Sequence, residues 1–170
     1  YMVGEDNRPK LQVDSPRIPT KKWEELPSRL PFDSIHYATP RIPLSSADRQ
    51  SDKLVLRGGE SLESCFRQAM LARRLTSQVA TVTTRVRFQP ESFQQMAGLV
   101  AYYNTHLFHY LYISIDERLG RCLQIHSCDD GVSSFPLEDA LVPLPEGDLH
   151  LRAVFDECRL AFSWSTDDKI

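Results

Sequence analysis

Residues 77–88 show a strict two-residue alternation, and this pattern constrains the fold more than any other feature of the chain. One side carries Val82, Thr84, Val86 and Phe88, and the other carries Thr81, Thr83, Arg85 and Arg87. A period of two is typical of a β-strand with one buried face and one solvent-facing face. The sequence Gln-Pro-Glu at positions 89–91 ends the pattern. The segment therefore predicts a half-buried strand.

Two more predicted strands follow this one. Residues 96–103 form an apolar run, and residues 109–115 alternate aromatic and β-branched side chains. Residues 104–106, Asn-Thr-His, are typical of a turn between the two. The small side chains of Ala97 and Gly98 would let a facing backbone approach closely.

The alternation also predicts which side chains are buried. The central core is expected to include Val82, Val86, Phe88, Leu99, Leu111 and Ile113. In residues 109–115, Tyr110 and Tyr112 share one face and Leu111 and Ile113 share the other. Two hypotheses fit the tyrosine face: contact with the core or with a partner domain, which we favour, or an aromatic surface that binds sugar.

Shorter segments extend the same pattern along the chain. The further predicted strands are residues 53–56, 70–75, 122–127, 149–155 and 160–164, of which the last two form a hairpin. Residues 37–44 hold two prolines and can form only an edge segment, residues 61–68 are ambiguous, and residues 133–147 indicate a loop around one short strand. Short strands at this spacing, separated by turn signals, favour an all-β sandwich or barrel over βαβ units.

The first 31 residues differ from the rest in holding five prolines. Proline lacks a backbone donor and fixes φ, so this density opposes both helix and central strand. We interpret residues 1–31 as an extended connector and residues 32–170 as one domain. A flexible tail is the alternative for the connector.

Composition and charge exclude several classes of protein. The 170 residues have 41% hydrophobic and 25% charged content, which is ordinary for one soluble domain. A net charge of −3 argues against a nucleic-acid binder, and no apolar stretch is long enough to span a membrane. The four cysteines show no CxxC spacing, so reduced thiols are favoured over a zinc site.

No set of residues predicts catalysis. Inverting glycosidases need two carboxyl groups about 6.5–9.5 Å apart, one of them protonated. The acidic pairs here lie in predicted turns, where carboxylates are normally solvated: Asp116 and Glu117, Asp129 and Asp130, Glu138 and Asp139, Asp156 and Glu157, Asp167 and Asp168. His106 and His109 fit structural roles, and Ser61, Ser64 and Cys65 have no evident catalytic partners. The predicted catalytic set is therefore empty.

Several segments carry a resemblance to a known family. They are residues 60–62 (ESL), 71–74 (LARR), 88–99 (FQPESFQQMAGL) and 102–104 (YYN). Together they resemble the C-terminal β-sandwich module of bacterial β-xylosidases in glycoside hydrolase family 43, over nearly the whole chain. The resemblance implies a concanavalin A-like jelly-roll sandwich of antiparallel strands, here incomplete at the C-terminus.

The resemblance also implies a function. The module accompanies a five-bladed catalytic propeller that holds the catalytic carboxylates, so no catalytic residue is carried over to this chain. The implied role is to pack on that propeller and help shape its pocket for short xylo-oligosaccharides, in a β-xylosidase or α-L-arabinofuranosidase that inverts configuration. This chain alone is then expected to be inactive, to lie in the bacterial cytoplasm and to self-associate through an exposed apolar face. The alternative is a carbohydrate-binding module that binds xylan directly.

One metal ligand is implied by the resemblance alone. In such modules an aspartate in a Phe-Asp-Ser opening helps to bind a structural calcium ion, and Asp33 occupies that position. Asp33 as a cap or turn acceptor is the favoured alternative, because one aspartate is not a site. No cofactor is otherwise expected.

Overall fold

The computed structural model describes residues 27–29, 36–38, 49–50, 53–167 and 169. This part of the chain is all β-structure and contains no helix. Its strands are β1 (Tyr37–Ala38), β2 (Arg49–Gln50), β3 (Lys53–Leu54), β4 (Ala72–Arg73), β5 (Val79–Val86), β6 (Ala97–Asn104), β7 (Leu107–Asp116), β8 (Gly120–Asp129), β9 (Val132–Ser134), β10 (Val142–Pro143), β11 (Leu149–Asp156) and β12 (Arg159–Ser165). Within these residues, then, nothing is long and apolar enough to cross a membrane as a helix.

The larger sheet has five antiparallel strands in the order β10-β8-β7-β6, with β9 also paired to β8. Its long strands follow one another in sequence and are joined by short turns. Between β8 and β9 the turn is formed by Asp130 and Gly131, with φ of 48° and 79°. Positive φ at both central residues is typical of the two-residue hairpin turns whose twist matches that of the strands. Glycine adopts a positive φ without steric cost.

The smaller sheet has the order β12-β11-β5, again antiparallel. β11 and β12 form the predicted hairpin, whereas β5 and β11 are distant in sequence and pair over eight residues, from Val79 opposite Asp156 to Val86 opposite Leu149. β5 therefore belongs to a different sheet from β6 and β7, although the three are consecutive in the chain. Two small ladders, β1 with β4 and β2 with β3, add two residue pairs each.

The two larger sheets pack face to face around one apolar core. Leu111, Ile113 and Leu123 from the larger sheet meet Leu149 and Leu151 from the smaller one, and each is at most 2% exposed. Val86, Phe88 and Leu99 are half-buried against this cluster. Sheet-on-sheet packing of this kind is a β-sandwich, as the sequence predicts.

The predicted core is confirmed except at Val82. This side chain shares a face with Val86 but is 36% exposed. It lies in the middle of β5 opposite the small, buried Ala153, whereas Val86 lies opposite the larger, buried Leu149. The alternation correctly gave the face of Val82 but not its degree of exposure.

The long strands agree with the sequence prediction, and the short ones are shorter than expected. The expected strand 70–75 is only Ala72–Arg73, and the expected strand 53–56 is only Lys53–Leu54. The partner of β4 has only two residues, and Pro40 soon follows it in sequence, where no backbone donor is present. In residues 70–75, Met70 is buried, with 6% of its surface exposed, whereas strand pairing involves only two residues.

Candidate functional site

The face of the larger sheet that points away from the core carries a cluster of aromatic and histidine rings. We call it the aromatic face, and it comprises Tyr102, Phe108, Tyr110, Tyr112 and His126. The rings of Tyr110 and Tyr112 stack with their centroids 5.1 Å apart, as the strand alternation predicts. Phe108 lies edge-on to His126 at 5.0 Å and stacks on Tyr102 at 6.3 Å. Such offset and edge-on contacts are favourable ring geometries.

The aromatic face is covered rather than open. Phe108 is 1% exposed and Tyr112 is 3% exposed. Burial raises the pKa of Tyr112 to about 12, and burial also raises the pKa of Tyr110. The Tyr112 hydroxyl donates a hydrogen bond of 2.7 Å to Oε1 of Gln124. A sugar platform needs exposed ring faces, so this geometry favours the interpretation of the two tyrosines as packing residues.

One loop, residues 60–68, lies against the aromatic face and is held by its own polar contacts. The backbone N–H of Glu60 donates to the carbonyl of Arg67 at 2.9 Å, and the Glu60 carboxylate accepts hydrogen bonds from Ser64 and from the backbone of Arg67. These bonds lower the pKa of Glu60. Gln68 is 1% exposed and donates to the Leu62 carbonyl and, at 3.3 Å, to the Tyr102 hydroxyl. The ambiguous segment 61–68 is thus an ordered loop without strand pairing.

His126, Ser133 and Glu63 form the contact that most resembles catalytic machinery. His126 Nε2 lies 2.9 Å from Ser133 Oγ, and Ser133 Oγ donates to Glu63 Oε1 at 2.5 Å. In a nucleophilic triad the carboxylate orients the other ring nitrogen. Here Glu63 Oε1 lies 3.8 Å from the same Nε2 that contacts the serine. The arrangement therefore joins loop 60–68 to β9 and does not activate a nucleophile.

The environment of His126 fits this structural role. Its ring stacks on Phe135 at 4.7 Å and lies against Phe108. Burial lowers the pKa of His126, and the nearby Glu63 carboxylate opposes this effect in part. Sequence reasoning missed this contact, because the spacing of positions 63, 126 and 133 carries no motif.

The other residues considered for catalysis are dispersed. His109 Nδ1 is 3.1 Å from Ser127 Oγ, in a cross-strand pair, and His106 is exposed in the β6–β7 turn. Ser64 is engaged by Glu60, while Cys65 and Cys158 are exposed. Cys122 and Cys128 are buried, and all four thiols are free. Of the four reduced thiols that the sequence favours, two are thus packed in the interior and two lie at the surface.

The acidic pairs lie at strand ends and in turns. Asp116, Asp129 and Asp156 are the last residues of β7, β8 and β11, and the second residue of each of these pairs follows in a turn. Asp168 falls outside the described residues. Asp116 accepts hydrogen bonds of 2.9 Å from the backbone N–H groups of Arg118 and Leu119, which lower its pKa. Among the described carboxyl groups whose pKa is shifted, every shift is downward: Glu60, Asp116, Asp148 and Asp167. A general acid needs the opposite, a raised pKa that keeps its proton at neutral pH.

Metal binding has little support in the part of the chain that is described. Asp33, the implied calcium ligand, lies outside it. Within it, no three His, Cys, Asp or Glu side chains are grouped closely enough to hold an ion. Calcium requires six to eight oxygen ligands, so its binding stays a prediction of the resemblance.

A buried arginine on β8 holds the loop that leads into β11. Arg121 on β8 is 6% exposed and donates to the backbone carbonyls of Phe88, Pro145 and Gly147, the first at 3.2 Å and the last at 3.0 Å. Five fixed donors suit guanidinium for satisfying several carbonyls at once. Arg121 therefore fixes the loop that leads into β11.

Comparison with known proteins gives one family. The family model of the β-xylosidase C-terminal concanavalin A-like domain matches residues 28–169. The chain is 41% identical over 151 residues to the β-xylosidase of Bacillus subtilis (strain 168), covering 84% of this chain and 28% of that protein. It is 39% identical over 147 residues to xylosidase/arabinosidase 43B of Humicola insolens, covering 82% of this chain and 26% of that protein.

Solved structures agree. The crystal structure of xylan β-1,4-xylosidase from Bacillus halodurans C-125 matches with a TM-score of 0.81 and 33% identity, covering 98% of this chain and 34% of that one. A GH43 protein from Bacillus licheniformis matches with a TM-score of 0.65 at 18% identity, which supports the fold alone. The chain thus spans about a quarter to a third of the length of these relatives.

Proposed function

This chain belongs to the family of β-xylosidase C-terminal concanavalin A-like domains, and we propose that it acts as a non-catalytic module packed on the catalytic propeller of its own enzyme. In this proposal the module braces the propeller and helps to shape its pocket for short xylo-oligosaccharides. The parent enzyme hydrolyses the O-glycosidic bond of a β-xyloside or α-L-arabinofuranoside with inversion, using carboxyl groups outside this chain.

The observation that carries the proposal is the state of the carboxyl groups. Those with shifted pKa values in the described residues are all shifted downward, and turn hydrogen bonds lower the pKa of Asp116. Inverting hydrolysis needs one carboxyl that keeps its proton beside another that does not. The relatives named as xylosidases are three to four times longer than the part this chain matches, which leaves room for the catalytic groups elsewhere.

Exposed apolar side chains in loop 60–68 and in the β9 region support a packing role. Phe66, in that loop, is 76% exposed, and Val132 and Phe135, in and after β9, are 71% and 42% exposed. The Glu63–Ser133 hydrogen bond holds the loop and β9 together, so these apolar groups are presented by an ordered support. Exposed apolar groups on a rigid support are typical of interfaces.

Activity measurements test the proposal. We expect no hydrolysis of an aryl β-xyloside by this chain above a protein-free blank, and hydrolysis by the longer protein that contains it. Turnover by this chain alone that disappears in an Asp116→Asn variant would refute the non-catalytic role.

Association with the catalytic propeller tests the packing. The propeller, produced separately, should bind this chain, and Phe66→Ser should weaken the binding while leaving the midpoint of urea unfolding unchanged. Phe93→Ser is the matched control, because Phe93 is 65% exposed but belongs to a different loop. A well-behaved monomer that binds neutral xylohexaose with micromolar affinity would instead support the carbohydrate-binding alternative.

A further inference from the structure

The outer face of the smaller sheet, opposite the core, carries a group of polar and cationic side chains at the end where β11 begins. We call it the basic face, and it comprises Thr81, Thr83, Arg85, His150, Arg152 and Ser163. These side chains alternate with the core-facing Leu149, Leu151 and Ala153 and their partners on β5. In a strand, successive side chains point to opposite faces, so the six share one surface.

Among the described residues, Asp148 is the acidic group that lies nearest to an arginine of this face. Asp148 forms a two-pronged ion pair with Arg87, at 2.6 and 3.1 Å, and lies 3.7 Å from Arg85 Nε. Asp148 thus lies near two arginines, and its hydrogen bonds are to Arg87. Asp156 lies on the same face at the far end of β11. Asp167 is also near, and its pKa is lowered first by its hydrogen bond from Ser165 and in smaller part by His150.

Arg152 has a buried donor with no acceptor among the described residues. It is half-buried, and its Nε is fully buried without a hydrogen-bond partner. An unpaired buried donor is costly, and the cost is greater for a charged group. The strand register places Arg152 between Thr83 and Ser163, two exposed hydroxyl side chains.

The same register brings Arg85 and Arg152 close together. Arg85 lies opposite His150, and Arg152 is two residues further along β11, so the two arginines are diagonal neighbours on adjacent strands. Diagonal neighbours lie about 7–8 Å apart, within reach of long side chains, and like charges placed so are unfavourable. An anion between the two guanidinium groups would relieve this repulsion and accept charge-assisted hydrogen bonds.

We propose that the basic face binds a carboxylated oligosaccharide, a xylan chain substituted with uronic acid, through Arg85 and Arg152. Guanidinium pairs with carboxylate in a two-pronged geometry, and the flanking Thr83 and Ser163 hydroxyls can bond sugar hydroxyl groups. The net charge of −3 disfavours a nucleic acid as the anion. The choice of xylan as the backbone rests on the proposed function, whereas the carboxylate specificity rests on the two arginines.

The proposal is tested by NMR titration of the ¹⁵N-labelled chain at low salt. The ligand is a xylotetraose carrying one glucuronic acid, and neutral xylotetraose is the comparison. The Arg152 Nε–H, shielded from solvent, serves as the reporter. We expect the acidic sugar, and not the neutral one, to shift this resonance and the amides of β11 and β12, with weaker binding at high salt.

Variants locate the binding. Arg152→Gln and Arg85→Gln should each weaken binding about tenfold, since each removes a charge-assisted hydrogen bond. Arg118→Gln, an exposed arginine in the β7–β8 turn, is the matched control and should leave the affinity unchanged. Far-UV spectra and urea midpoints confirm that each variant is folded.

The proposal would be overturned by equal binding of neutral and acidic sugars or by full affinity in the Arg152→Gln variant. Tighter binding of an oligoglutamate peptide would also overturn it and would indicate an acidic protein partner. No resonance shift at tens of millimolar acidic sugar would also overturn it. The titration involves neither hydrolysis nor the propeller, so its failure leaves the proposed function standing. Conversely, hydrolysis by this chain alone would contradict only the proposed function.

Discussion

At the scale of single residues, Gly98 shows how closely β6 and β7 approach each other. A Cβ added at this position would lie 2.0 Å from the carbonyl oxygen of Leu111 and 2.7 Å from Cα of Tyr112. Both atoms belong to the backbone, so a side-chain rotation cannot relieve the overlap. Glycine is required here by space, and the small residues at 97–98 in the sequence predict this close approach.

Replacing Gly98 should therefore destabilise the domain. We expect Gly98→Ala to lower the free energy of unfolding by about 1–3 kcal/mol or more, the usual range for overpacking. Gly58→Ala is the control, since a Cβ there meets nothing within 4 Å. Urea unfolding followed by tryptophan fluorescence measures both, and an equal effect of the two variants would contradict the argument.

The core positions give a second contrast between residues of similar type. Ile113 is fully buried and Val82 is 36% exposed. Ile113→Ala removes apolar atoms from a packed interior and should cost about 2–5 kcal/mol. Val82→Ala should cost under about 1 kcal/mol, because much of its surface already meets water. Urea midpoints measured side by side test this, and a larger loss at Val82 would place it in the core after all.

Alternation along a strand explains which residue features were predictable. It correctly separated Tyr110 and Tyr112 from Leu111 and Ile113, because that separation follows from strand geometry alone. The degree of exposure, as at Val82, depends on the neighbouring elements, which one strand does not encode. The His126–Ser133–Glu63 contact joins two distant segments, so no local pattern could reveal it.

At the scale of elements, the ion pair of Arg87 and Asp148 joins the end of β5 to the start of β11. The Arg87 guanidinium, through its hydrogen bonds and its charge, lowers the pKa of Asp148. A carboxyl whose pKa is lower in the folded state stabilises the fold at pH values above its unfolded pKa, near 3.8. This contribution is lost as the pH falls through the folded pKa.

The pH dependence of stability tests this connection. Wild type should be more stable than Asp148→Asn at pH 7, and the difference should shrink as the pH falls below about 4. It should also be reduced by salt, because the pair is partly exposed. Arg87→Gln should remove the same component, and the double variant should lose little more. A difference that grows toward acid would contradict the assigned pKa direction.

The positions of the long strands could be predicted from the sequence better than those of the short strands. The hairpins β6–β7, β7–β8 and β11–β12 have strong alternation and clear turns, and local sequence therefore located them. The pairing of β5 with β11 is long-range, and nothing local distinguishes it from pairing with the adjacent β6. The shortest strands depend on what partner lies beside them, as the two-residue β1 and β4 show.

At the scale of the whole molecule, the smaller sheet leaves an edge available for contacts. Within the described residues β5 pairs with β11 on one side only. Val79 on this strand is 63% exposed and Val82 is 36% exposed. An unpaired edge with exposed valines and unpaired backbone groups is a common template for association, and charged edge residues suppress it.

We therefore expect this chain, studied alone, to self-associate or to bind a hydrophobic dye at neutral pH. Exposed apolar groups on β5 and around loop 60–68 would meet one another across copies, because apolar surface is driven out of water. Val79→Lys should reduce the weight-average mass in sedimentation, since lysine on an edge strand opposes strand addition. Leu119→Lys is the matched control, because Leu119 is 48% exposed but lies in a hairpin turn and should leave the mass unchanged. The chain could instead be monomeric at every concentration and leave the dye fluorescence unchanged. That result would show that these exposed apolar groups do not drive association. It would also remove the support that they give to the packing of this module on a partner domain.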